Sequence, residues 1–201
     1  MEIISYNFYE DYTQLNPNFT IKMNQRIDDI KEKYIIKLSN EDVIRDCFVE
    51  LFSWTVFPYN ILQNIYEIIK DKCDILLDPC CGNSFHTYLF ETFTPLLCLS
   101  YDIQNEKNSW TNIIETNGLY VLQQIPNHEN ICLFLSWIDN EHIGMTILES
   151  FKGNIIISVG NYEGTSPNYL SKLHEKYKMI YCKILQMPWN LTEKIEIYVK
   201  K

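Results

Sequence analysis

The segment ILLDPCCGNSF, residues 75–85, determines how the rest of the chain is interpreted. The apolar run Ile75–Leu77 is typical of a buried strand, and Asp78 and Pro79 end it. Gly82 permits a tight turn, and the small residues that follow it let a ligand approach the main chain. Three interpretations of this turn are open: a cofactor-binding loop, a metal or redox site, and an ordinary strand end.

Further short apolar runs follow this segment, at residues 96–101, 131–137, 154–159, 179–185 and 195–199. Stretches long enough for helices separate the first five runs, whereas only residues 186–194 separate the last two. Continuous apolar strands that alternate with helical connections predict a doubly wound, mostly parallel α/β sheet with helices on both faces. The short final connection predicts an antiparallel hairpin at one edge of this Rossmann-like sheet.

The chain before this region has a helical pattern instead. Apolar positions recur at helical spacing between residues 24 and 34, after Ser39, and between residues 60 and 70. We therefore expect residues 1–50 to form an N-terminal helical extension packed on the core, and residues 51–201 to form the α/β domain. These N-terminal helices are also where we would expect a protein partner to bind.

The composition is that of a globular protein, with 46% hydrophobic and 21% charged residues. The sequence has no basic start with an apolar segment, and no run of about 20 apolar residues. We therefore expect a soluble, cytoplasmic protein without a membrane partner. The formal net charge of −9 disfavours a nucleic-acid partner, because phosphates would be repelled. An RNA end stays open as an alternative acceptor.

The seven cysteines form no C-x-x-C pair, and most of them lie in apolar runs, where a thiol packs as a small hydrophobic group. An odd number in a domain of this size argues against a disulfide framework, so we expect reduced thiols. The four histidines show no ligand spacing, so no metal site is expected.

Carboxylates end the first two predicted strands. In a doubly wound sheet, ligands bind beyond the carboxyl ends of the strands, where the strand order reverses. Asp78 ends the first strand, and we expect it to accept hydrogen bonds from a cofactor or from the amides of its own loop. Asp102 ends the second strand, and its two oxygens are suited to the two hydroxyls of a ribose.

At this point the sequence resembles a known class. The segments ILLDPCCGNS and LCLSYDI look like motifs I and II of the class I S-adenosylmethionine-dependent methyltransferases. LFSWTVFP at residues 51–58, LFLSWID at residues 133–139 and VGNYEGTSPNYL at residues 159–170 are similar to segments of a small family of methyltransferase-like proteins. The resemblance covers residues 51–201 and implies a Rossmann-like methyltransferase fold.

The resemblance also implies that S-adenosylmethionine is the cofactor. The positions that match the cofactor-binding residues are Asp78, Cys80, Gly82, Ser84, Asp102, Ile103 and Ser136. The family loop usually has a second glycine where this chain has Ser84. A serine fits this position if its φ is negative, but it narrows the approach of the cofactor. Trp110, on the connection after the second strand, is expected near the adenine ring.

On the acceptor side, the predicted catalytic residues are Trp137 and Asp139. The indole of Trp137 would form a wall for a planar acceptor, and Asp139 would position or deprotonate the acceptor atom. Trp54 is expected either to cover the methionine end of the cofactor or to anchor the core. Glu163 is expected to face the acceptor.

The implied function is methyl transfer from S-adenosylmethionine to an unidentified acceptor. The alternative is a catalytically silent methyltransferase fold that binds a protein or RNA partner. Ser84, the replacement of two family prolines by Ile138 and Asp139, and the N-terminal extension motivate this alternative.

Overall fold

The computed structural model of the 201-residue chain describes residues 8–34, 41–104, 109–138, 140–161, 167–187 and 192–201. Within those ranges, no helix combines the length and the apolar character needed to cross a membrane.

The core of the fold is one seven-stranded sheet. Its strands are β1 (Ile75–Asp78), β2 (Leu97–Asp102), β3 (Ile114–Glu115), β4 (Ile131–Ser136), β5 (Ile155–Gly160), β6 (Tyr177–Gln186) and β7 (Thr192–Lys200). Their order across the sheet is β3-β2-β1-β4-β5-β7-β6. Pairs among β1 to β5 are parallel, whereas β7 is antiparallel to both β5 and β6. The predicted doubly wound sheet with an antiparallel hairpin at one edge is therefore confirmed.

Eight helices accompany the sheet in the described residues. They are α1 (Glu10–Leu15), α2 (Pro17–Tyr34), α3 (Glu41–Leu51), α4 (Tyr59–Ile69), α5 (Phe85–Phe93), α6 (Gly118–Gln124), α7 (Glu141–Ser150) and α8 (Pro167–Lys176). The sequence predicted α2, α3 and α4 from their apolar spacing, although α2 begins earlier than expected. It did not predict α1, which is only six residues long, or the two-residue strand β3.

Two apolar clusters cover the two faces of the sheet. One cluster includes helix α4, whose residues Ile61, Leu62, Ile65 and Ile69 are all buried. The other includes Ile147 and Leu148 of α7. Strands that are buried on both faces must be apolar at nearly every position, which explains the continuous runs in the sequence.

The N-terminal segment contributes aromatic rings to the first cluster. Phe8, Tyr12 and Phe19 are buried there. The ring of Phe19 stacks on that of Trp110 at a centroid distance of 5.5 Å. Arg26 on α2 donates a hydrogen bond of 3.1 Å to the carbonyl oxygen of Leu51. The N-terminal helices thus hold the end of α3 and the residues after it in place, and these form one wall of the site described next.

Candidate functional site

A cavity of about 630 Å³ lies at the carboxyl ends of β1 and β4, where the strand order reverses. Its lining comes from the loop after β1, the end of β4, helix α3 and the residues that follow α3. These residues are Asp46, Val49, Glu50, Ser53, Trp54, Cys80, Cys81, Gly82, Asn83, Phe85, His86, Ser136 and Trp137. Its location is the one that the doubly wound topology favours for a ligand.

The loop after β1 contains two left-handed residues, Gly82 with φ 53° and Ser84 with φ 61°. Ser84 therefore does not meet the condition of a negative φ. The hydroxyl of Ser84 donates to the carbonyl oxygen of Asn83 at 2.7 Å and accepts from the amide of Thr111 at 3.0 Å. Local hydrogen bonds of this kind help a polar residue to adopt the left-handed conformation. The residue is only 1% exposed, so the structure places it behind the loop.

Asp102 at the end of β2 meets this loop directly. Its Oδ2 atom accepts a hydrogen bond of 2.9 Å from the amide of Gly82, and Oδ1 accepts one of 3.2 Å from the amide of Gln104. Each carboxylate oxygen has a second lone pair, so both can still accept from a ligand hydroxyl. Ile103 is 69% exposed beside it. Gly82 lines the cavity and Asp102 is bonded to it, whereas neither Asp102 nor Ile103 is among the described residues that line the cavity.

Asp78 at the end of β1 is buried. Its carboxylate accepts hydrogen bonds from Thr87 Oγ1 at 3.1 Å and from the amide of Cys80 at 3.4 Å. The structure thus connects this carboxylate to its own loop and helix, one of the two arrangements that the sequence allowed. Burial raises the pKa of Asp78 to about 7, because the ionised form has lost most of its water.

The two cysteines of the loop are protonated thiols. Burial, followed by the nearby Asp78 charge, raises the pKa of Cys80 to about 12 and raises that of Cys81 further. A nucleophilic or metal-binding cysteine needs the opposite shift, so a redox or nucleophilic function is disfavoured. No disulfide joins any of the seven cysteines, all of which lie within the described ranges. Those ranges also hold no cluster of three or more side chains that would bind a metal.

Trp137 follows β4 and lines the side of the cavity where the sequence predicts an acceptor. It has φ 53°, and its amide donates to the carbonyl oxygen of Val159 at 2.8 Å. Its ring lies 5.6 Å from that of Trp54, centroid to centroid, and Ser136 lines the cavity beside it. The predicted residues Asp139 and Glu163 lie outside the described residues.

Two further residues on this side, Thr55 and Glu193, were not predicted from the sequence. The indole Nε1 of Trp137 donates to Thr55 Oγ1 at 2.8 Å, and Thr55 Oγ1 donates to Glu193 Oε2 at 3.4 Å. Thr55 and Glu193 are fully buried. The Oε1 atom of Glu193 is buried with no hydrogen-bond partner in the described part of the chain. Loss of water raises the pKa of Glu193 to about 7.

The position of Glu193 on its strand could have identified it from the sequence. Glu193 lies near the start of β7, opposite Leu185 on β6, and it lies on the same face as Ile195 and Ile197. Both of those residues belong to the first apolar cluster. A carboxylate in line with core positions is rare unless it has a partner or a function. The partner, Thr55, is 138 residues away in sequence, so only the folded chain identifies it.

Two aromatic side chains near the cavity have structural contacts. His86 Nε2 lies 2.7 Å from the carbonyl oxygen of Thr55, and its ring stacks on Phe57 at 5.3 Å. Burial lowers the pKa of His86 to about 4, so it is neutral at neutral pH. Trp110 is fully buried and donates from Nε1 to the carbonyl oxygen of Leu51 at 2.7 Å. It follows β2 as predicted, but its buried indole is not available to an adenine ring.

Comparison with known proteins identifies the fold. No protein-family model matches the sequence, and no curated protein matches it. Among solved structures, a mutant of MtNAS in complex with S-adenosylmethionine has a TM-score of 0.52 at 10% identity, over 90% of this chain and 72% of that one. An rRNA methylase from Streptococcus thermophilus has a TM-score of 0.47 at 12% identity, over 73% of this chain and 99% of that one.

A third structure is a SAM-dependent O-methyltransferase from Thermotoga maritima, with a TM-score of 0.48 at 13% identity, over 73% of this chain and 66% of that one. Of these three, only the MtNAS structure exceeds a TM-score of 0.5, and its low identity shows likeness of fold alone. Together with the strand order, it identifies the fold as Rossmann-like.

Proposed function

We propose that this protein binds S-adenosylmethionine and transfers its methyl group to an acceptor in the same cavity. The observation that carries the proposal is the hydrogen bond of the Asp102 carboxylate to the amide of Gly82, which lines the cavity. This bond joins the glycine turn after β1 to the strand-end carboxylate of β2. A nucleoside bound at a switch point needs these two elements side by side.

The residues present fit such a cofactor. A cavity of about 630 Å³ is within the range of pockets that hold small molecules and cofactors. A Cβ atom placed on Gly82 would meet nothing within 4 Å, so the main chain is open at this point. In this proposal Asp102 binds the ribose hydroxyls, and Cys80, Gly82 and Ser136 line the cofactor's position. Asp78 and Ser84 support the loop from behind.

The bound cofactor supplies a methyl group on a sulfonium sulfur. A lone pair of the acceptor attacks the methyl carbon in line and displaces the sulfur. Such a reaction depends mainly on alignment and on exclusion of water, so few reactive side chains are needed. Trp54 and Trp137 line the acceptor side, and an acceptor bound against them would displace water there. We also propose that Asp139, which follows β4 by three residues, positions the acceptor atom.

Thermal unfolding with added ligand tests the proposal. S-adenosylmethionine and its demethylated product should each raise the melting temperature, because a ligand that binds only the folded state stabilises it. Asp102→Ala should remove most of this shift. Glu115→Ala is the matched control, since Glu115 lies opposite Asp102 in the register of β2 and β3 and is exposed. Wild-type protein that shows no shift at millimolar ligand would contradict the proposal and favour a silent binding subunit.

A further inference from the structure

The acceptor side of the cavity presents two indole rings at an angle to each other. The rings of Trp54 and Trp137 are 5.6 Å apart at their centroids, and their planes are inclined by 42°. Trp54 is 42% exposed, although a large hydrophobic side chain is normally buried. The two rings therefore form an open, V-shaped surface that lines the cavity.

The polar edge of Trp137 is turned away from this surface. Its Nε1–H group donates to Thr55 Oγ1 at 2.8 Å, and Thr55 in turn donates to the buried carboxylate of Glu193. The indole N–H is the only donor of a tryptophan side chain. Trp137 therefore offers the cavity only the carbon atoms of its ring, and the face of the ring carries the negative potential of the π system.

The spacing of the two rings excludes a flat ligand between them. A ring stacked on both faces needs about 7 Å between them, since each carbon contact takes about 3.5–4 Å. The observed centroid distance of 5.6 Å is too short for that arrangement. A compact group that rests against both rings from the open side of the V fits instead.

The charged residues that line the cavity are acidic. Asp46 and Glu50 of α3 line the cavity, and no lysine or arginine lies among the described residues that line it. Arg45 pairs with Asp46 at 3.2 Å but lies outside the lining. His86, which also lines the cavity, is neutral because burial lowers its pKa to about 4. This arrangement attracts cations and repels phosphates.

We propose that the acceptor carries a cationic amine, which binds against the rings of Trp54 and Trp137. This inference rests on the proposed methyl transfer in the same cavity. A compact cation over an indole face is stabilised by the ring quadrupole, and the nearby carboxylates add to this attraction. For transfer, the ammonium first releases a proton to water. The nitrogen lone pair then forms the new N–C bond as the methyl–sulfur bond breaks and its electrons go to sulfur.

A pair of probes that differ only in charge tests this inference. Choline carries a quaternary ammonium, and 3,3-dimethylbutan-1-ol is its neutral isostere. Each is titrated into protein saturated with the demethylated cofactor, while the indole N–H signals are followed by NMR. We expect choline to bind at least about fivefold more tightly than the isostere, which is the effect of about 1 kcal/mol of cation–π attraction.

Variants test whether the preference for choline over the isostere comes from the rings of Trp54 and Trp137. Trp54→Leu should reduce it to about twofold or less, whereas Trp54→Phe, which keeps a π face, should retain most of it. Asp46→Asn should weaken the binding of choline and make that binding less dependent on salt. The affinity for the isostere should be unchanged. Equal binding of choline and the isostere would overturn the inference, and so would tighter binding of uridine 5′-monophosphate than of choline. Cofactor binding is measured separately, so these outcomes leave the proposed function standing, whereas absent cofactor binding would remove it first.

Discussion

The two sides of the cavity are built from contacts of very different range. On the proposed cofactor side, Asp78 and Asp102 are held by hydrogen bonds to Cys80, Thr87 and Gly82 that span 2, 9 and 20 residues. On the proposed acceptor side, the bonds from Trp137 to Thr55 and from Thr55 to Glu193 span 82 and 138 residues. The cofactor side is thus a local structure, whereas the acceptor side is assembled by tertiary packing.

Each side nevertheless contains a buried carboxylate whose ionised form is disfavoured by the loss of water. Asp78 and Glu193 both have a pKa of about 7, and burial is the largest cause for both. Each accepts a hydrogen bond from a threonine hydroxyl. The difference is that Asp78 also accepts from a backbone amide, whereas one oxygen of Glu193 has no partner in the described chain. The comparison shows that a buried carboxylate can be supported by its own loop or by a distant segment.

The largest expected effect is on the pH dependence of stability. The unfolded chain releases these carboxyl protons near pH 4, so between about pH 4 and 7 the native protein binds more protons than the unfolded one. Stability should therefore fall as pH rises through this window, by up to about 1.4 kcal/mol per pH unit and about 4 kcal/mol in total for each group. Above about pH 7 it should level off.

Asp78→Asn and Glu193→Gln should each remove one of these contributions, which denaturant unfolding at pH 5, 6, 7 and 8 would measure. Glu115→Gln, at an exposed carboxylate, is the control. If only one of the two substitutions flattens the pH profile, the two carboxylates are not equivalent and the comparison between the two sides breaks down.

The next effect concerns the cofactor side alone. Asp102→Ala should weaken binding of S-adenosylmethionine by about 10- to 100-fold, because hydrogen bonds to a charged group contribute about 1.5–3 kcal/mol. Isothermal titration calorimetry measures this loss, and Glu115→Ala should bind like wild type. Choline binding to the Trp54–Trp137 wall should be similar in both variants when the cofactor site is saturated. An unchanged affinity in folded Asp102→Ala protein would remove Asp102 from the site.

Thr55→Val tests the acceptor side in the same way. The substitution keeps the shape of the side chain but leaves the Trp137 N–H and the Glu193 carboxylate without their shared partner. Unsatisfied buried groups cost about 1–3 kcal/mol, and we expect that loss in the free energy of unfolding. Thr55→Ser, which keeps the hydroxyl, should restore most of it. Cofactor affinity should change by less than about threefold, and a larger change would show that the two sides are coupled.

The smallest effect is expected at Gly82. An alanine there would meet no atom within 4 Å, so the left-handed backbone with φ 53° is the only source of strain. That conformation costs about 1 kcal/mol for a residue with a Cβ atom, and chemical denaturation should show a loss of this size. Ser84→Gly should change stability by less, because the relief of strain offsets the lost bond to the Thr111 amide. A loss well above 2 kcal/mol for Gly82→Ala would mean that the loop is packed more tightly than described.

Prediction from sequence succeeded where the signal is local. The apolar runs predicted the doubly wound sheet and its antiparallel hairpin, because strands buried on both faces need apolar residues throughout. It did not indicate the left-handed backbone of Ser84, whose hydroxyl accepts a hydrogen bond from the Thr111 amide on another segment. It also did not indicate the burial of Trp110, whose ring contacts Phe19, Phe52 and Phe85.

The sequence by itself determined the sheet and the positions of Asp78, Gly82 and Asp102 at the strand ends, because an apolar run followed by a polar turn marks a strand end locally. Only the tertiary structure decided which side chains face the cavity. The register of β7 and the packing of residues 52–58 bring Glu193 and Thr55 together behind Trp137, and the N-terminal helices enclose Trp110 and hold the end of α3. The contacts of Thr55 with Trp137 and with Glu193 join segments more than 80 residues apart, and their geometry depends on the whole packed core rather than on any local pattern.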